Sequence, residues 1–373
     1  MKLFKSLLVA PATLGLLAPL AATANEITVN DFNPVVEQTL LAGGEGLVDD
    51  HSHDGGFSET TTASFSADFA IGAVDGMGVT PAITDGDEAL EAYYGFQIDL
   101  STSFTGEDSL DVSLDGGNSG GAVSEFDLNS TTNEALTVDG VSYTFPVGDK
   151  VTAFVGDNTD GSALYSTACV YGGPSNVLDD CGAKEAPLGS GSGTAAGASF
   201  DIGNGFTAAV GYTGNGSSTS GLLTKEGDDA YGGQLTYTAD SYGASVTYAN
   251  IETSGVDTTY WALNGYWTPS DSGSMPSVSV GYEVGDPETA GAKDTTQYFV
   301  GLQWDEAGPG TFGVALGTDG AFAEDATEYM VYEAFYSYPV NDGMTVTPLV
   351  YVRENDATKE DQTGIMVKTS FSF

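Results

Sequence analysis

The chain is short of positive charge. Its 373 residues hold nine Lys plus Arg against 53 Asp plus Glu, a net charge of −44. Arg353 is its one arginine. Phosphate binding needs clustered cations, which argues against nucleic acid as a partner. The same scarcity argues against docking on anionic headgroups through a basic patch. Histidine is scarcer still: His51 and His53, both in "DDHSHDGG", residues 49–56. With Asp49, Asp50 and Asp54 they offer zinc or nickel ligands, but no scaffold surrounds them, and a linker is the better reading. No Ser-His-Asp constellation or nucleophile elbow accompanies them. Acidic pairs such as Asp228-Asp229 are too common in so acidic a chain to signal acid–base work. The expectation is a non-enzyme with no cofactor and no metal. Long apolar runs are missing as well. Beyond the N-terminus nothing approaches the ~18 apolar residues of a spanning helix, and from Phe57 onward helical periodicity is absent.

What is present is alternation. The chain ends "DQTGIMVKTSFSF". Ile365, Val367, Phe371 and Phe373 share one parity; Met366, Lys368, Ser370 and Ser372 share the other. That is the side-chain period of a strand. From Phe57 onward the pattern repeats between Gly, Asp, Asn, Ser and Pro turns. It predicts strands over 60–73, 90–104, 108–115, 135–146, 150–157, 195–202, 205–213, 229–239, 242–252, 257–268, 275–285, 294–305, 310–317, 327–339, 343–354 and 362–373. The register of the fourth is the least defined. The count is sixteen, even, with both ends on one side. Tight turns such as "TGED", "VGD", "GN" and "DS" alternate with longer segments, mostly at 74–89, 116–134, 158–194, 214–228, 286–293, 318–326 and 355–361. The faces agree: Trp261, Leu263 and Trp267 oppose Tyr260, Asn264 and Tyr266, and Tyr298, Val300, Leu302 and Trp304 oppose Gln297, Phe299, Gly301 and Gln303. In hydrocarbon only a closed sheet satisfies every backbone group. The fold class expected is all-β, a transmembrane antiparallel barrel of about sixteen strands with short periplasmic turns and long outer loops. Strand-end aromatics such as Tyr212, Trp267, Trp304, Tyr338 and Phe373 suit the interfacial girdles.

The N-terminus, "MKLFKSLLVAPATLGLLAPLAATAN", reads as a secretory signal peptide over residues 1–24: Lys2 and Lys5, an apolar run, then small residues before the cut. Residues 25–56 are a short periplasmic segment or linker, with a helix from Pro34 to about Leu41 capped by Asn33. Residues 57–373 are the barrel.

"FSETTTASFSADFAIGAVDG", "YYGFQIDLSTSFTGEDSL" and "VDGVSYTFPVGDKVTAFVG" resemble the outer-membrane porins of cyanobacteria, grouped with the carbohydrate-selective porins. The resemblance implies a sixteen-stranded diffusion channel, often a homotrimer, in the outer membrane of a Gram-negative cell, here a marine cyanobacterium. Many members carry an S-layer homology domain before the barrel; residues 25–56 are too few for one. Phe371 and Phe373 are similar to the terminal signal read by barrel-assembly machinery. The partners implied are outer-membrane lipid, that machinery, and ions or small solutes.

Candidate pore-lining residues are Asp68, Gln97, Asp99, Asp111, Asp115, Glu283 and Glu333, with Arg353 and Lys368 as the cations among them. Rings of carboxylates favour cations in a pore; plain wettability would also place polar groups there. The acidity at large reads either as solubility in a salty medium or as a field that enriches cations near an opening. Cys169 and Cys181, the only cysteines, share the longest loop of an exported chain and are expected to form a disulfide, worth roughly 3 kcal/mol of unfolded-state entropy. That loop, 158–194, either enters the lumen or forms a stapled surface lid. Three functions stay open: a passive porin, weakly cation-preferring or sugar-selective with Tyr260 and Tyr266 as a track; a structural or adhesive barrel with a blocked lumen; and a hydrolase with its site on the rim.

Overall fold

The computed structural model describes residues 61–76, 89–120, 123, 125–126, 128, 134–189, 192–216, 221–224, 227–270, 274–355 and 361–373. The leader, the segment 25–56 with its Pro34 helix, and both histidines lie outside them. The described residues carry β1 (Thr61–Asp75), β2 (Glu91–Thr102), β3 (Ser109–Gly117), β4 (Thr137–Val147), β5 (Val151–Asp160) and β6 (Ser192–Gly203). There follow β7 (Phe206–Gly214), β8 (Asp229–Thr238), β9 (Tyr242–Thr253), β10 (Val256–Trp267), β11 (Ser277–Pro287) and β12 (Thr295–Ala307). The last are β13 (Gly310–Thr318), the two-residue β14 (Phe322–Ala323), β15 (Met330–Asn341), β16 (Met344–Arg353) and β17 (Gln362–Ser372).

Sixteen of these form one closed antiparallel barrel; β14 merely tacks its loop to β12. Each strand pairs with its neighbours in sequence, and β17 returns to β1 through ten residue pairs, Ser66↔Ser372 to Asp75↔Thr363. The terminal residue takes part. Phe373 donates its N–H to the Phe65 carbonyl at 3.0 Å and accepts from the Phe65 N–H at 2.9 Å. No sheet edge is left open there: the Phe373 backbone finishes the seam, and the residue is 80% exposed.

Exposure alternates as the pattern requires. In β10, Trp261 and Leu263 are 54% and 60% exposed, while Ala262 and Asn264 are 1% and 4%. The outer surface is apolar all round, from Phe69 through Val155, Val210 and Leu263 to Val350. Two connections show the turn chemistry that closes neighbouring strands. Asn204-Gly205 and Ser254-Gly255 both adopt positive φ, at 56° and 83° and at 54° and 76°. Two successive left-handed residues make the tight hairpin turn whose twist matches the strands. The turn before β3 is organised by Asp108, which accepts from Ser103, Thr105 and Tyr143. The ill-defined fourth strand has a physical cause. Ser113 pairs with Gly140 but Leu114 pairs with Val138, so Asp139 is an extra, bulged residue and the period-2 pattern breaks there.

Candidate functional site

The barrel interior is occupied on one side. Residues 161–189, between β5 and β6, carry the Cys169–Cys181 disulfide. From Ser166 to Gly172 this loop runs extended across the strands. Every second amide donates to a side chain of the wall: Ser166 to Gln234 at 2.6 Å, Ala168 to Ser245 at 3.0 Å, Val170 to Ser279 at 3.0 Å and Gly172 to Gln303 at 2.8 Å. Those acceptors stand on β8, β9, β11 and β12. A backbone that leaves the sheet must find its partners elsewhere, and here the polar inward residues supply them. After the disulfide, Asn264 on β10 donates to the Cys181 carbonyl at 3.0 Å. Glu283 on β11 accepts from the Glu185 and Ala186 amides at 3.0 and 2.7 Å. A Cβ at Gly281 would collide with the Cys181 carbonyl, so glycine is what lets the loop lie flat on β11. Asn264 alternates with the exposed Leu263, and cross-strand register puts Ser245, Ser279 and Gln303 on its face, so the segment lies on the inner side of the wall.

An apolar core fixes the same loop. Tyr171, Leu178 and Cys181 pack with Val123, Phe126 and Leu128 from the β3–β4 connection, and with Phe299, Phe335, Leu349, Tyr351 and Met366 of the wall. The wall residues come from β12, β15, β16 and β17, with Ala315 of β13 and Val74 of β1 beside them. The Tyr171 ring lies 5.3 Å from Phe299 and 5.8 Å from Phe335, centroid to centroid. Its hydroxyl donates to Glu333 Oε1 at 2.5 Å. Burial pushes the Tyr171 phenol far up, with the Glu333 charge adding to it, so the proton stays on the donor. In the same loop, burial pushes Asp180 up to about 6, helped by the charge of Asp179; the Gly182 amide and Lys184 oppose it.

The sequence-predicted residues separate into three groups. Glu283 and Glu333, 1% and 4% exposed, are anchors of the loop. Arg353 and Lys368 sit under the β3–β4 connection. Arg353 Nη2 lies 2.8 Å from Glu125 Oε2 and its Nε 3.3 Å from Asp319 Oδ1, while Lys368 Nζ lies 5.6 Å from the centre of the Phe126 ring. Burial raises the Glu125 carboxyl, Arg353 opposes, and Asp319 adds to the rise. The third group stands on β1 to β3, where Ala70 and Tyr93 also meet the core and where Asp68 and Asp115 are each 8% exposed. Cross-strand register puts Ser66 beside Gln97, Gln97 beside Asp115 and Ser101 beside Asp111, with Asp68 two residues on from Ser66. Paired residues share a face. Gln97 and Ser113 donate to Asp99 at 2.7 and 2.6 Å, Ser109 to Asp111 at 2.8 Å, and Thr137 to Asp115 at 2.7 Å. Asp139 and Asp160 join Asp111 around a hollow of about 280 Å³ on β3 to β5. Phe371 packs edge-on to Phe69, 6.1 Å between centroids, on the outer face. Among the described residues no group of three His, Cys, Asp or Glu is arranged to hold a metal ion.

Sequence reasoning missed Tyr171, Glu125, Asp319 and the inward aromatics. Phe299 and Phe335 carried a signal: large aromatics on the same parity as Gln297 and Glu333 mean that something apolar meets the inner wall. Tyr260, read as part of a track for sugars, instead packs against Ala183, Ala186 and Leu188 of the loop.

No protein-family model and no curated protein matches the sequence. Solved structures do share the fold. OprB of Pseudomonas putida superposes with a TM-score of 0.60 at 11% identity, over 84% of this chain and 94% of that one. An anion-selective porin from Comamonas acidovorans gives 0.60 at 14% identity, over 84% and 99%. A mutant porin of Rh. blastica gives 0.57 at 15% identity, over 84% and 100%.

Proposed function

We propose that this chain is an outer-membrane porin, a passive channel for inorganic ions and small hydrophilic solutes with a weak preference for cations. The observation that carries the reading is the division of the barrel wall: an apolar outer face suited to lipid, and an inner face that is polar and, on β2 to β5, lined with carboxylates. The shared fold with three bacterial porins supports it as an architecture. The anion selectivity named for the Comamonas protein is not carried over, because the carboxylates here would favour the opposite sign.

In this reading the disulfide-stapled third outer loop narrows the lumen from the β8–β17 side, and solutes pass along the acidic side. Asp68, Gln97, Asp99, Asp111 and Asp115 line the passage. Glu283 and Glu333 serve the loop. The reading retains the wider expectations: export by a signal peptide over 1–24, insertion by barrel-assembly machinery that reads Phe371 and Phe373, periplasmic termini, a homotrimer, and a cyanobacterial source. A second reading, a structural barrel with a blocked lumen, is favoured by one observation, the apolar core inside the barrel.

A planar bilayer under a potassium chloride gradient separates them. A porin gives discrete conductance steps and a reversal potential of cationic sign. Steps of anionic sign would remove the carboxylate argument. A folded protein that gives no steps would establish the blocked barrel.

A further inference from the structure

We propose, resting on the channel reading above, that Arg353 is a positioning residue: by holding Glu125 it seats the disulfide-closed ring, residues 169–181, and thereby sets the width of the passage rather than its charge. A lone arginine on the inner wall of an acidic barrel invites the opposite assignment, an exposed cation that repels cations and attracts anions. Its geometry does not serve that role. The guanidinium is committed, with Nη2 2.8 Å from Glu125 Oε2 and Nε 3.3 Å from Asp319 Oδ1, and its side chain is 21% exposed. A charge-assisted pair of this kind, shielded from water, is among the stronger polar contacts a protein makes.

What Arg353 holds leads directly to the ring. The Glu125 carbonyl accepts from the Asn176 amide at 2.9 Å, and the neighbouring Phe126 makes a bridge with Ser175. Lys368 lies against the Phe126 ring from the next strand. The ends of the ring are tied to the wall through Gly172 and Cys181. Its middle is tied at Asn176 through Glu125 and at Ser175 through Phe126, with Glu333 of the wall beside Ser175, and Glu125 is tied through Arg353. The path therefore runs from β16 to the part of the ring farthest in sequence from the disulfide.

The test compares the full-length refolded wild type with R353Q/E125Q, which removes both charges at no change in net charge, and with R353K, which keeps the charge. Hydrogen exchange over residues 170–180 reads the ring itself, whether or not the lumen conducts. The double variant is expected to lose about tenfold in amide protection there, to gain conductance and to admit larger neutral solutes. R353K is expected to stay near wild type. Should the double variant fail to fold, E125A alone removes the acceptor that Arg353 holds and is expected to show the same loss. Unchanged protection in the folded variants would overturn the proposal, and so would a shifted reversal potential with conductance and protection unaltered. Wild-type protein without conductance steps would sink the channel reading, while the exchange data would still decide whether Arg353 holds the ring.

Discussion

The two sides of the barrel interior use the same strand pattern for opposite ends. From β8 round to β17 the inward residues are acceptors and aromatics: Gln234, Ser245, Ser279 and Gln303 take loop amides, and Phe299, Phe335 and Met366 build a core. On β2 and β3 Tyr93 still meets the core, but Asp99, Asp111 and Asp115 are short acids whose partners are local hydroxyls and amides. The first side holds the loop; in the proposed channel the second keeps its charges at the passage. Polarity alone does not distinguish them, because both read as polar or small on one parity. The difference lies in size. A large inward side chain needs something to pack against, and a short acid does not.

Breaking the packed side should produce the largest effect. Phe299→Ala removes a ring that is 1% exposed at the centre of the core. The expected cost is about 3–5 kcal/mol, read as a lower urea midpoint and lost exchange protection across 170–180. Unchanged values would mean that the core does not hold the loop. Tyr171→Phe keeps the ring but takes the hydrogen from a buried carboxylate, at about 1–3 kcal/mol, with the loss confined to the same loop. A loss spread evenly over the strands would contradict that.

The acidic side should respond in selectivity and not in stability. Asp99→Asn with Asp111→Asn is expected to move the reversal potential toward zero while the unfolding free energy stays within about 0.5 kcal/mol of wild type. A change of unfolding free energy without a change of potential would reverse the assignment of the two sides. The smallest effect belongs to pH. Asp180 titrates near 6 in the fold because burial disfavours its charge. A carboxyl raised above its unfolded value of 3.8 destabilises the fold only when ionised. Its cost is therefore absent below about pH 4, grows to about pH 6 and is complete above. Glu125 is raised in the same direction. Protection of 170–180 should rise as pH falls from 7 to 5, with a shallower rise in Asp180→Asn. An identical rise in the variant would place the effect elsewhere.

The barrel was legible in the sequence because strand period, turn residues and closure are local or nearly so. Sixteen expected strands match the sixteen of the barrel to within a few residues, and the uncertain one is where Asp139 bulges. The interior was legible only in part. The two cysteines pointed to the staple, and parity placed Glu283, Glu333 and Arg353 on the inner face. What each of them touches depends on the path of residues 161–189 and on Glu125, which no periodicity encodes. Glu333 in particular looked like a pore carboxylate and is the acceptor of a tyrosine from a loop 162 residues away in sequence.

The central claim is that the stapled loop fills one side of an otherwise open barrel. Liposome swelling with neutral solutes of graded size tests it most directly, comparing wild type with a variant in which residues 163–188 are replaced by a short Gly-Ser linker. The account predicts that wild type admits only small solutes and that the variant admits distinctly larger ones. Equal cut-offs for the two proteins would contradict it.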